Sequence, residues 1–402
     1  MNSVFKKFVS CALALAMLCS VALTLVSCGE KNYAEDNTVI KIAASGPITG
    51  DAAVYGKAVE NSAKLAVKEI NAAGGLDGIM FEFVMADDKH DPTLVAANYA
   101  SLYEGGAQIT LGTVTTGPAL EFKELSKDDN VFVLTPSASG DAVPEYDNAY
   151  QMCFADSNQG TASANFFNEN YQGKKVGVFY KSDDEYSTGI YKKFKDSLDA
   201  SFGTVAEASF KEKESQFATQ VQLLKECDVI FMPIYYTPAS QFMEAGKDII
   251  KSDAVYFGCD GLDGIDTVKN FDINTVPQEV SYLSHFNSGA TEGGAAQYVA
   301  NYRAEYGENA PLNQFGAAAY DCVYAIFEAL KVAKNNGVEF KVNTSASDFC
   351  EILKDVFNSD DFVFHGVTGA PTETGKSDIK WNDDGTVNKQ AVKYVVKAAN
   401  AN

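Results

Sequence analysis

Histidine is nearly missing from this chain: three in 402 residues, at His90, His285 and His365. Zinc sites and imidazole-based catalysis need such side chains grouped at short spacing, and these are far apart. The serine-elbow pattern G-x-S-x-G does not occur. Two stretches approach a phosphate loop, Gly50 to Gly56-Lys57-Ala58 and Gly369 to Gly375-Lys376-Ser377, but each has five residues between its glycines where the motif has four. Catalytic residues, a metal and a cofactor are therefore not expected. Cysteine is sparse as well. Beyond Cys11, Cys19 and Cys28 there remain Cys153, Cys227, Cys259, Cys322 and Cys350. With no repeated spacing they form neither a disulfide framework nor a zinc set, and they read as small buried hydrophobes. Basic side chains are outnumbered, 32 Lys and Arg against 54 Asp and Glu, for a net charge of −22. A surface of that sign repels nucleic acid. After the first thirty residues no apolar run approaches the length that spans a bilayer.

The one long apolar run is at the start. Lys6 and Lys7 precede Phe8 to Val26, which closes on Leu25-Val26-Ser27-Cys28. A positive start, an apolar centre and small residues before a cut describe a secretory signal over residues 1–27. The Leu-Val-Ser-Cys end resembles the bacterial lipobox, whose cysteine becomes the lipidated first residue. Cys28 is accordingly the expected lipid anchor, with the polar residues 28–37 as a tether. Loss of Lys6 and Lys7 with the signal takes the net charge from −22 to −24. Removing 27 of 402 residues leaves 375, enough for two domains with full cores.

The remaining chain alternates between strand and helix patterns. Thr38 to Ala44 alternates apolar and polar; Val59, Ala63, Ala66, Val67 and Ile70 then recur at helical spacing until Gly74-Gly75. Phe81 to Ala86 reads as a strand, and Asp91-Pro92 opens a helix to Glu104, Asp as cap and Pro at its first position. Two apolar runs then break into hydroxyl residues: Gln108 to Leu111 into Gly112-Thr113-Val114-Thr115-Thr116-Gly117-Pro118, and Val131 to Leu134 into Thr135-Pro136-Ser137-Ala138-Ser139-Gly140. Two such strand ends are expected side by side, where an open parallel sheet binds ligands and helix N-termini favour an anion. A second unit of the same kind follows, with strands at 175–180, 205–210, 228–233, 254–257 and 278–283. From Gly293 to Lys334 the pattern is all helical. Those helices need a sheet to cover, so the chain is expected to return to the first unit near Ser284 and to leave it again near Phe362 to Gly369.

Several short motifs keep their order over some 340 residues: Gly46-Pro47-Ile48-Thr49-Gly50 with Tyr55-Gly56, Ile70 to Gly75, Asp87-Asp88 before Asp91-Pro92, Thr135 to Ser139, Tyr320-Asp321, and Trp381 to Gly385. In this arrangement the chain resembles the leucine/isoleucine/valine-type solute-binding proteins of ABC importers. The resemblance implies an α/β protein of two Rossmann-like lobes with parallel sheets, joined by three crossover strands and closing on ligand by a hinge: the type I periplasmic-binding-protein fold. It places residues 38–153 with 285–362 in the first lobe and 154–284 with 363–402 in the second.

It also implies roles for residues. A ligand carboxylate would meet Thr115 and Thr116, and its ammonium would meet the carbonyl of Ala138, the hydroxyl of Ser139 and the carboxylate of Asp260. Tyr186 would close over the ligand, and Tyr55, Tyr235 or Tyr236, and Phe286 would line the side-chain pocket. Adjacent residues of an extended segment point opposite ways, so at most one of Tyr235 and Tyr236 is expected to face the ligand. The same ambiguity holds for Thr115 and Thr116, with Thr116 favoured as nearer the helix start. Departures from the family pattern are the Gly117-Pro118 that follows the threonines and Asp in place of a frequent Glu at position 260. The implied function is capture of a small neutral, apolar amino acid by a monomeric, lipid-anchored protein outside the cytoplasm, for delivery to an ABC permease in the membrane. The alternatives are a solute without an ammonium, such as an amide, a urea-like compound or an aromatic acid, and a ligand sensor.

Overall fold

A computed structural model describes residues 31–369, 377–387, 389 and 391–399. The expected signal segment and Cys28 lie outside the described residues. The first sheet holds β1 (Ile40–Gly46), β2 (Phe81–Asp87), β3 (Ile109–Thr113), β4 (Phe132–Thr135) and β5 (Ala149–Gln151), in the order β2-β1-β3-β4-β5. All neighbours are parallel; Ile42, for example, faces Phe83 on one side and Ile109 on the other. The second sheet starts with β6 (Val176–Lys181), β7 (Ala206–Phe210), β8 (Val229–Met232), β9 (Val255–Gly258) and β10 (Glu279–Ser284), also parallel. Near the end, β11 (Phe364–Gly366) pairs with β12 (Ser377–Ile379), and β13 (Val392–Lys397) joins the second sheet antiparallel to β10. Its order is β13-β10-β9-β8-β6-β7.

Helices cover these sheets because parallel strands need crossovers and both faces must be buried. Helix Ala53–Ala72 buries Val59, Ala63, Ala66 and Ile70, the residues whose spacing announces it. It packs closely on helix Gln314–Asn335. A Cβ on Gly316 would lie 2.9 Å from the Ala58 carbonyl oxygen, so this close approach requires glycine. The helical region after residue 293 thus returns to the first sheet's side. Helix Ala346–Phe357 covers the same side, with Phe357 against Phe132 and Tyr150.

The tail divides its contacts. The Gly369 N–H donates to the His285 carbonyl at 2.7 Å, beside the end of β10. Trp381 then packs on Phe357 at 4.4 Å and donates its indole N–H to the Gln151 carbonyl at 2.8 Å, on the first side. Among the described residues of the tail, only β13 enters the second sheet. Two elements, β5 and helix Asp156–Asn170, fill residues 140–175, where the sequence patterns announce nothing. The five remaining cysteines are free and buried.

Candidate ligand-binding cleft

The first wall is built where β3 and β4 end. The Thr135 hydroxyl donates to the Thr113 carbonyl at 2.8 Å, and the Ser137 hydroxyl to the Val114 carbonyl at 2.5 Å, so the two loops are tied side by side. Helix Thr116–Asp128 starts in this wall from an extended Thr115, and no side chain caps it. Its first-turn amides have no intrahelical partners, and Pro118 removes one of those donors. This is an anion-favouring helix start beside buried hydroxyls. The Thr116 hydroxyl accepts from the Gly140 N–H at 3.2 Å, which fixes the second loop against the helix.

The opposite wall centres on Asp260, which is 1% exposed. It follows β9 and starts a short 3-10 turn, Asp260–Leu262. Tyr186 sits in the first turn of helix Glu185–Ser197, whose N-terminus is capped by the Asp184 carboxylate accepting from the Ser187 N–H at 3.0 Å. The Tyr186 hydroxyl donates to Asp260 Oδ1 at 2.6 Å and accepts from the Gly261 N–H at 2.9 Å. A Cβ on Gly261 would lie 2.5 Å from that hydroxyl and 2.6 Å from the Ile234 carbonyl oxygen, so Asp260-Gly261 serves this contact as well as a turn. The ring of Tyr186 stacks on Tyr235 at 4.6 Å and 6°.

Burial pushes the Asp260 carboxyl up from 3.8 to about 6, against the opposing pull of the Tyr186 hydrogen bond and of the nearby Gln159 amide. Asp156, wholly buried at the start of its helix, is pushed up the same way, and the Asp260 charge adds to the effect. No cationic side chain of the described residues is among the leading causes of either shift. The Ser139 hydroxyl lies near Asp156 and lowers its pKa without reaching hydrogen-bond geometry. Ser139 Oγ, Asp156 Oδ1 and Gln159 Nε2 are buried with no hydrogen-bond partner among the described residues. Buried polar atoms are nearly always satisfied, and of these three residues Ser139 lines the cavity between the walls.

The two walls meet across a nearly closed cavity of about 10 Å³, the room of about one water molecule. Tyr55 bridges them, its hydroxyl donating to the Gly261 carbonyl at 2.5 Å. The Thr237 hydroxyl donates to the Asp51 carbonyl at 2.9 Å, and Asp263 accepts from the Gln314 N–H at 2.9 Å. Of the sequence-expected site residues, Tyr55, Thr115, Thr116, Ser139, Tyr186, Tyr235 and Asp260 line the cavity. Both threonines do so, because one ends the loop and the other begins the helix.

Three expected residues do not line it. Tyr236 starts helix Tyr236–Gly246 facing away; its ring meets Tyr55 edge-on at 4.8 Å and its hydroxyl accepts from the Val54 N–H at 3.3 Å. Phe286 packs on Tyr298 at 5.7 Å in a separate apolar cluster. The Ala138 carbonyl accepts from Gln151 Nε2 at 2.9 Å. Val114, Ser137, Gly261 and Phe315 line the cavity without having been singled out. Phe315, 4.7 Å edge-on from Tyr55, is in an apolar helix run that carries no local sign of facing a cleft.

The sequence pattern of the periplasmic binding protein family matches residues 39–362. The leucine-, isoleucine-, valine-, threonine- and alanine-binding protein of Pseudomonas aeruginosa is 28% identical over 209 residues, 51% of this chain and 55% of that one. That match spans about half the length of the relative. The Leu/Ile/Val-binding protein BraC3 of Rhizobium johnstonii is 24% identical over 347 residues, 85% of this chain and 91% of its own. Among solved structures, the leucine-binding protein LivK of Thermotoga maritima aligns with a TM-score of 0.75 at 20% identity, covering 90% of this chain and 97% of that one. A solute-binding protein from R. palustris in complex with benzoate aligns at 0.74 and 17% identity, covering 90% and 94%. At these identities the structural likeness speaks for the fold, and with the match over residues 39–362 the chain belongs to the periplasmic binding protein family.

Proposed function

We propose that this protein is an extracytoplasmic solute-binding protein that captures a small α-amino acid with an apolar side chain and hands it to an ABC permease. The observation that carries the reading is the polarity of the cavity. One wall offers hydroxyls and an uncapped helix start, and the other holds Asp260, buried and with no cation shifting it among the described residues. A zwitterion complements both ends: its carboxylate on Thr115, Thr116 and the first-turn amides, its ammonium on Asp260 with the Ser139 hydroxyl nearby. The rings of Tyr55, Tyr186, Tyr235 and Phe315 supply the apolar lining that the side chain would meet when the walls part to admit it. Charge-assisted hydrogen bonds contribute roughly 1.5–3 kcal/mol each, so three or four support micromolar or tighter binding. The relatives named for Leu, Ile and Val binding support the side-chain class.

A second reading has its own support, since one structural neighbour holds benzoate. An aromatic acid would use the hydroxyl wall but gain nothing at Asp260, whose buried carboxylate would stay without a counter-charge. Lobes divided at residues 153, 284 and 362, a monomeric state and lipidation of Cys28 complete the proposal. Thermal-shift measurements with the twenty amino acids and a set of benzoates test it: an α-amino acid should raise the melting temperature, because a ligand that binds only the folded form stabilises it.

A further inference from the structure

His90 is not among the residues lining the cavity, yet it touches both walls. Its Nδ1 is 2.8 Å from the Thr115 hydroxyl oxygen, and its ring meets Tyr235 edge-on at 5.2 Å. The backbone holds it there at a cost. Lys89 and His90 have φ of 55° and 64°, a left-handed pair that side-chain-bearing residues seldom adopt. Asp88 maintains the shape, its buried carboxyl accepting from the His90 N–H at 2.9 Å and from the Ser45 hydroxyl at 3.0 Å. Local strain that neighbours over-determine is a pointer to a function.

We propose that His90 is a positioning residue that holds its ring proton on Nδ1 and donates it to Thr115, turning the Thr115 hydroxyl hydrogen toward an anionic group in the cavity. The inference rests on the ligand reading above. Its logic is the two-way nature of the contact. With the proton on Nε2, Thr115 would have to donate to the ring, and only its lone pairs would face the ligand carboxylate. With the proton on Nδ1, the ring donates, and the hydroxyl is free to donate in turn. Partial burial lowers the His90 pKa, with Asp184, Glu212 and Asp51 pulling toward the charged form and Lys181 against it; Asp91 is adjacent in the chain. A carboxylate at Thr115 therefore selects one tautomer of a ring that lies outside the cavity.

The three histidines make the test direct. In protein labelled with 15N-histidine, saturating L-leucine should move the His90 nitrogens to the pattern of the Nδ1–H tautomer. His90→Gly relieves the left-handed backbone but removes the donor, and should weaken L-leucine binding about tenfold, the effect of one such hydrogen bond. His90→Asn tolerates the same backbone and carries an N–H donor near the Nδ1 position, so it should bind within about threefold of the unmodified protein. An Nε2–H pattern in the L-leucine complex, or equal losses in the Gly and Asn variants, overturns the positioning role while leaving the ligand reading intact. Absence of binding by any α-amino acid to the unmodified protein overturns the ligand reading itself.

Discussion

Replacing Asp260 by Asn should make the unliganded protein more stable and its ligand binding weaker. Burial takes the Asp260 carboxyl from 3.8 to about 6. That rise corresponds to roughly 3 kcal/mol between the two protonation states. The folded pKa is raised, so the folded chain holds this proton more firmly than the unfolded one. The stability it contributes is complete below 3.8 and is lost as pH rises through about 6. At pH 7.5 the charged carboxylate therefore works against folding. Asn keeps the shape and can still accept from the Tyr186 hydroxyl, so the variant should regain part of that roughly 3 kcal/mol, less the difference between a charged and a neutral hydrogen bond. Binding should move the other way. Removing the partner of a buried ammonium costs about 2–5 kcal/mol, or roughly 30- to 5000-fold in Kd. Chemical denaturation without ligand and titration calorimetry with L-leucine, both at pH 7.5, read the two quantities. A variant that loses stability and binds as before would refute the reasoning, because Asp260 would then be a structural residue satisfied by its own neighbours.

Other perturbations follow from the same geometry. Affinity for an α-amino acid should fall as pH drops through about 6, where Asp260 takes up its proton, by up to about tenfold per unit, and the dependence should vanish in Asp260→Asn; calorimetry at pH 5, 6 and 7.5 checks this. Ser139→Ala should cost about 1 kcal/mol of binding, a single neutral hydrogen bond, against the larger loss at Asp260. Cys28→Ser should move the protein from the membrane pellet to the soluble fraction of cells with its ligand affinity unchanged; retention in the pellet would remove the lipid anchor from the proposal.

Much of the fold is written in local chemistry. The period of Val59, Ala63, Ala66 and Ile70 and the Asp91-Pro92 start are properties of a few neighbouring residues, and the structure has a helix at each place. Two helices escape that kind of reading for different reasons. Asp156–Asn170 is rich in small and polar residues and has weak apolar periodicity, so its burial is decided by packing on helix Glu185–Ser197. Ala346–Phe357 does carry a signal: Ser345 accepts from the Asp348 N–H and Asp348 from the Ser345 hydroxyl, a capping pair three residues apart before an apolar face. The site divides in the same way. Thr115, Thr116 and Ser139 sit in strand-end loops whose composition announces them. Phe286, Phe315 and Tyr236 are aromatic residues whose direction depends on how two distant segments meet, which local patterns do not encode. Tyr235 and Tyr236 sit at a loop-to-helix junction and not in a strand, Tyr236 beginning the helix, and the fold turns Tyr235 toward the cavity.

The central claim is that the cavity needs a positive and a negative charge on one small guest. Titrating the purified protein at pH 7.5 with L-leucine, with leucinamide, and with 4-methylpentanoate, which lacks the ammonium, tests this most directly. The account predicts that leucine binds and that each analogue loses at least tenfold, since each leaves one wall unmatched. Binding of the ammonium-free acid as tightly as leucine would contradict it.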